Sequence, residues 1–141
     1  TMSSFERTLK DGQGGFAGFL EAIESYLDEQ CVPSATVAQL MIVFDEVISN
    51  VFSHGADGRK PAVHVKIDVR EDSVSVEIAD DGTAFDPLSQ PDPATDLPVE
   101  DRPLGGLGLH IVRKLMDDIV YSRKDGWNRL RFFKVFPLEA T

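Results

Sequence analysis

Residues 63–78 read VHVKIDVREDSVSVEI. Val63, Val65, Ile67 and Val69 alternate with His64, Lys66, Asp68 and Arg70, so an extended chain here has one apolar face and one polar face. Glu71-Asp72 interrupts the alternation, which resumes with Val74, Val76 and Ile78 against Ser75 and Glu77. The pattern predicts a β-hairpin with one wet face and one face that another layer must cover.

Two upstream segments supply that layer. Phe16, Phe19, Leu20, Ile23 and Leu27 recur at helical spacing through about residue 30, and Pro33 closes the segment. Ser34, or Thr36 close by, then suits the cap of a second helix that ends at His54-Gly55, where glycine can adopt the left-handed conformation. Ahead of both, Ser4 to Lys10 suits a short edge strand, ended by the turn-rich run Asp11 to Gly15. From Pro87 to Pro103 the composition shifts to Pro, Asp, Ser and Thr without apolar periodicity, as in a long mobile loop, a kind that is usually functional. Leu107 to Ile119 is helical in pattern, with Leu109, Val112, Leu115, Met116 and Ile119 on one side. Strands are expected near 119–124 and 128–136, joined by the turn signal Asp125-Gly126. This order predicts an α+β fold: a two-layer sandwich, a mainly antiparallel mixed sheet with helices on one face, as a single domain over residues 1–141.

The formal net charge of −10 argues against nucleic acid as a direct partner, because phosphate binding draws on clustered Lys and Arg. Cys31, the one cysteine, can form no internal disulfide and reads as a small buried hydrophobe in a reducing compartment. No run approaches the roughly 18 apolar residues of a membrane span. The start has no basic-then-apolar leader, and Thr1 ahead of Met2 reads as an added residue, so a cytoplasmic protein with no membrane partner is expected.

Three stretches carry chemistry. In DEVISNVFSHG, residues 45–55, Glu46, Asn50 and His54 recur one turn apart along the border of an apolar stripe formed by Leu40, Phe44, Val47, Ile48 and Val51. A carboxylate can take a proton and a carboxamide oxygen can ligate a hard cation. An amphipathic helix with a polar shoulder has the same pattern. Ala79 to Pro87, ADDGTAFDP, follows the hairpin's second strand and holds Asp80, an acceptor-only carboxylate suited to an exocyclic amino group; it equally suits a plain acidic turn. Gly82 there permits close backbone approach. Gly105-Gly106-Leu107-Gly108-Leu109 enters a helix, where free N–H groups and the helix dipole favour anions; a flexible hinge is the other reading.

Together, Glu46-x-x-x-Asn50, Asp80-x-Gly82 and Gly105-Gly106-Leu107-Gly108, in this order with a lid-like loop before the last, resemble the GHKL ATPase superfamily and its Bergerat nucleotide fold. Asn50-x-x-x-His54-Gly55, Phe85-Asp86-Pro87 and GGLGLHIVRKLMD over 105–117 narrow the resemblance to the anti-sigma-factor serine/threonine kinases. The resemblance implies ATP and Mg²⁺ as ligands, with Glu46 as general base, Asn50 holding the metal, and Asp80 and Gly82 at adenine. It further implies that Gly105, Gly106, Leu107, Gly108 and Leu109 cradle phosphates beneath a lid over about 88–104. His54 has three roles open to it: phosphate contact, capping and packing. Two positions depart from the family pattern: Ala84 stands where a second glycine is frequent, and Asn128 stands where a threonine commonly assists adenine binding, a contact its amide can also supply. The lid lacks an obvious lysine, which leaves Arg102 as its nearest candidate cation for the γ-phosphate.

The implied activity is phosphorylation of Ser or Thr on a STAS-type anti-sigma-factor antagonist, as part of partner switching in transcription control. A sigma factor as further partner and a homodimer are consistent with the family. The alternative is a nucleotide-dependent module that sequesters a sigma factor or other regulator and transfers little or no phosphate. A histidine-kinase catalytic domain fits less well, because it works beside a dimerisation helix for which residues before 16 leave no room.

Overall fold

The computed structural model describes residues 3–10, 12–55, 60–84, 86 and 112–137. Strand β1 (Ser3–Leu9) is followed by a 3-10 turn (Gly12–Gly15), helices α1 (Phe16–Glu29) and α2 (Ser34–His54), then strands β2 (Val63–Val69), β3 (Ser73–Asp80), β4 (Asp118–Lys124) and β5 (Trp127–Val135). The five strands form one sheet in the order β1-β2-β3-β5-β4. Every described pairing is antiparallel, a more uniform sheet than the mixed one the sequence suggested.

Alternation governs the sheet as expected. Val63, Val65, Ile67, Val69, Val74, Val76 and Ile78 join Leu130 and Phe132 in one buried cluster with α1 and α2. From the helices come Ile23 and Leu27 of α1 and Leu40, Val43, Phe44 and Ile48 of α2, all fully buried. Each such side chain contributes about 1.5–3 kcal/mol by leaving water. Phe44 meets Phe132 edge-on at 6.2 Å, seating α2 on the sheet. Phe16 meets Phe52 at 5.6 Å between the helices, while Tyr26 reaches β1 through Phe5 and a 2.8 Å hydrogen bond to the Ser3 hydroxyl.

Asp125 and Gly126 both have positive φ, 55° and 82°, as a two-residue hairpin turn requires. The β2–β3 turn closes where the Arg70 amide donates to the Ser73 carbonyl at 2.9 Å.

Four expectations are corrected. Ser34 does not cap α2: Pro33 holds that position, its carbonyl accepts from the Val37 amide at 2.9 Å, and Ser34 is the first helical residue. Cys31 is exposed rather than buried, because it sits in the reversal between α1 and α2 with φ 62°. The third helical pattern ends earlier than residue 119. Residues 112–115 are helical, the Met116 amide closes on the Val112 carbonyl at 3.2 Å, and Ile119 belongs to β4. Finally, Ser34–Ser53 is long and apolar enough, by length and composition, to cross a membrane. Its fully buried residues face the sheet and Asp45 and Glu46 interrupt it, which is the pattern of a core helix.

Candidate active site

The C-terminal end of α2 and the exit of β3 meet. Gly55, with φ 63°, closes α2 through its amide to the Val51 carbonyl at 2.9 Å, and its own carbonyl accepts from the Thr83 amide at 3.0 Å. A Cβ at Gly82 would lie 2.8 Å from the Gly55 carbonyl oxygen and 3.0 Å from Asp80 Oδ1. Glycine is thus required at 82 by the protein's own backbone, a reason that sequence reasoning had attached to a ligand. Asp81 fixes the other side of the turn, where its carboxylate accepts from the Ala62 amide at 2.8 Å.

Asp80 ends β3 on the helix-covered face and is only 8% exposed. Its Oδ1 accepts from the Gly82 amide and from the Asn128 carboxamide, both at 3.0 Å. Among the described residues Oδ2 accepts nothing, and no buried polar side-chain atom there lacks a partner, so this oxygen is open to solvent. Burial pushes the Asp80 carboxyl above its ordinary range. The hydrogen bonds from Asn128 and Gly82 oppose the shift, Asp81 adds to it, and Arg123 opposes it.

Asn128 pairs with Asp80 across β3 and β5 and is 5% exposed. Its Nδ2 donates to Asp80 Oδ1 and to the Thr83 carbonyl, each at 3.0 Å. Its Oδ1 accepts from the Tyr121 hydroxyl at 2.6 Å and from Arg123 Nη1 at 2.9 Å. Through these four bonds Asn128 orients Asp80 and joins it to Thr83, Tyr121 and Arg123. Tyr121 and Arg123 escaped sequence reasoning. Period-two alternation on β4 carries the only available signal, and it does not say which strand lies beside them.

On α2, Asn50 Nδ2 approaches Glu46 Oε1 at 3.4 Å, one helical turn away. That orientation leaves the Asn50 carboxamide oxygen without a donor among the described residues. Glu46 is half-buried, and its carboxyl is raised by desolvation, lowered in part by Asn50 and raised by neighbouring Asp45. Ala84 is exposed. His54 ends α2. Arg102, Gly105, Gly106, Leu107, Gly108, Leu109 and the lid over 88–104 lie outside the described residues.

A groove of about 450 Å³ crosses the opposite, wet face of the sheet, lined by Lys66, Glu77, Arg131 and Phe133 among others. Glu77 pairs there with Arg129 at 3.0 Å and Arg131 at 2.8 Å, so its charge is neutralised within the sheet.

A carboxylate at a strand end is thus tied by backbone to a helix that bears a second carboxylate and a carboxamide. Residues 16–134 match the family model described as histidine kinase-like ATPase domain, and the chain belongs to that family. Among relatives, it is 36% identical over 92 residues to the serine/threonine-protein kinase BtrW of Bordetella bronchiseptica, covering 64% of this chain and 65% of that one. It is 31% identical over 95 residues to the serine-protein kinase RsbW of Listeria innocua and 29% identical over 94 residues to RsbW of Bacillus cereus. Those matches cover 64% of this chain and 60% and 59% of the relatives, so the similarity spans less than two thirds of each kinase.

Proposed function

We propose that this protein is an ATP-dependent serine/threonine kinase that also acts as an anti-sigma factor, phosphorylating a STAS-type antagonist. The observation that carries this reading is the joint made by Gly55, Gly82 and Thr83, which ties the Asp80 carboxylate to the helix of Glu46 and Asn50. Open Oδ2 of Asp80 suits the 6-amino group of adenine. The free oxygen of Asn50 suits a hard cation shared with phosphate oxygens, the usual arrangement for Mg²⁺. Mg²⁺ would supply charge neutralisation at the phosphates.

Glu46, whose carboxyl partial burial raises above its ordinary range, fits a general base. In the proposed step it accepts the proton of the substrate hydroxyl as that oxygen bonds to the γ-phosphorus and the bond to the ADP oxygen breaks. Support for a protein substrate comes from the relatives, which are named serine/threonine-protein and serine-protein kinases. The STAS-type antagonist, the sigma factor and the cytoplasmic setting follow from the family resemblance.

Calorimetric titration with ATP and ADP, with and without Mg²⁺, followed by incubation with labelled ATP and candidate antagonists, tests the reading. Mg²⁺-dependent ATP binding and label on a Ser or Thr of the antagonist are expected. Nucleotide-dependent capture of a regulator without label transfer would replace the kinase with a sequestering module, and absence of nucleotide binding would overturn both.

A further inference from the structure

Arg123 belongs to none of the motifs, yet it anchors the Asp80 turn. It is exposed on β4, opposite Asn128 in register, and its Nη1 donates to the Gly82 carbonyl at 3.2 Å and to Asn128 Oδ1 at 2.9 Å. Asn128 passes that constraint inward, because its other end donates to Asp80 Oδ1 and to the Thr83 carbonyl. An exposed cation is therefore connected to a buried carboxylate through one side-chain amide and one backbone carbonyl. The hydroxyl of Tyr121 holds the same amide oxygen from a second side.

We propose that Arg123 is a positioning residue for purine selection: acting through Asn128 and Gly82, it holds Asp80 with Oδ1 engaged and Oδ2 presented, and so favours a 6-amino over a 6-oxo purine nucleotide. The inference rests on the nucleotide reading above and adds a selectivity role for a residue outside the motifs. An ionised, fixed carboxylate accepts from an exocyclic amino group and repels a 6-oxo oxygen, because both would be acceptors. A carboxyl that takes a proton can donate to the oxo group, and one that rotates away no longer holds the amino group, so in either case the discrimination shrinks. The charged groups acting on Asp80 are Asp81, which favours the protonated form, and Arg123, which favours the ionised one. Removing Arg123 thus loosens the turn and shifts Asp80 toward the form that tolerates the wrong base.

The test measures Kd for ATP and ITP by calorimetry on the native protein, Arg123→Met and Arg123→Lys, with thermal melting alongside. The native protein is expected to prefer ATP, and Arg123→Met to lose about five- to tenfold of the ATP-to-ITP ratio, the size of one or two hydrogen bonds. Arg123→Lys, which keeps the cation and a donor, is expected to recover part of the ratio. Should Arg123→Met fail to fold, Tyr121→Phe removes a single hydroxyl from the same amide and is expected to lower the ratio in the same direction. A native protein that prefers ATP alongside variants with an unchanged ratio overturns the inference, even if both affinities fall together. Native protein that binds neither nucleotide overturns the underlying site reading and this inference with it.

Discussion

The amide of Thr83 donates to the carbonyl of Gly55 at 3.0 Å, and this bond makes one unit of two stretches 28 positions apart in the chain, the cap of α2 and the exit of β3. Glu46 and Asn50 sit on the helix that Gly55 terminates, and Asp80 sits on the strand that Thr83 leaves. Because both partners are backbone atoms, side-chain replacement cannot remove the bond directly; it can only push the two segments apart.

Gly82→Ala does that. The added Cβ would stand 2.8 Å from the Gly55 carbonyl oxygen, a backbone atom that cannot swing aside, and 3.0 Å from Asp80 Oδ1. Relief requires the β3 exit to move off α2, at about 1–3 kcal/mol by analogy with overpacked cores. A lower melting temperature and ATP affinity weakened by about tenfold or more are expected, the latter equal to about 1.4 kcal/mol. Unchanged melting and binding would show that the joint is slack.

Asp80→Asn separates stability from binding. Burial raises the folded-state pKa of Asp80 above its unfolded value, against the opposing hydrogen bonds of Asn128 and Gly82. The folded state therefore holds this proton more tightly than the unfolded chain. The associated stabilisation is full below the unfolded pKa and is lost as pH rises through the folded one. Above that window the ionised side chain costs stability. Relative to the native protein, Asp80→Asn is expected to melt no lower at pH 7 and to lose its advantage as pH falls below the folded pKa, while ATP affinity drops by at least about tenfold. Parallel melting-versus-pH profiles would contradict the sign assigned here.

Period-two alternation made β2 and β3 legible before any coordinates, since Val63 through Ile78 could bury one face in only one way, and Asp125-Gly126 announced its turn equally clearly. Glu46, Asn50, Asp80 and Gly82 were legible as motif residues that the resemblance gathers around one nucleotide, yet the joint that connects them was not, because it runs through the Gly55 carbonyl and sequence carries no signal for a backbone oxygen. Asn128 was legible by position, as a residue near the base, but its bonds to Asp80 were not. Its role depends on Tyr121 and Arg123, which reach it only through the β4–β5 register. Cys31 misled because apolar character was taken as burial, whereas a left-handed turn between two helices keeps it at the surface.

Phe44→Ala tests the seating of α2. Phe44 is fully buried and meets Phe132 of β5 edge-on, two residues before Glu46 on the same helix. Losing the ring is expected to cost about 3–5 kcal/mol in denaturant unfolding. Phe44→Leu, which refills most of the volume, is expected to lose much less. Similar losses for the two would mean that the ring contact, rather than the filled space, dominates at this position.

Glu46→Gln isolates the proposed base. The amide keeps the size of the side chain and its approach to Asn50 but cannot accept a proton from a hydroxyl. Nucleotide affinity is expected to persist, with phosphoryl transfer to the antagonist lowered by roughly 10²–10⁴-fold, the usual contribution of a positioned base. The native pH–rate profile gives an independent check. Desolvation raises the Glu46 carboxyl above the ordinary glutamate range, so the proposed transfer by the native protein should decline as pH falls through that raised value, and the residual rate of the variant should not follow it. Undiminished transfer by Glu46→Gln, or an identical acid limb in both proteins, would move the base function to another residue.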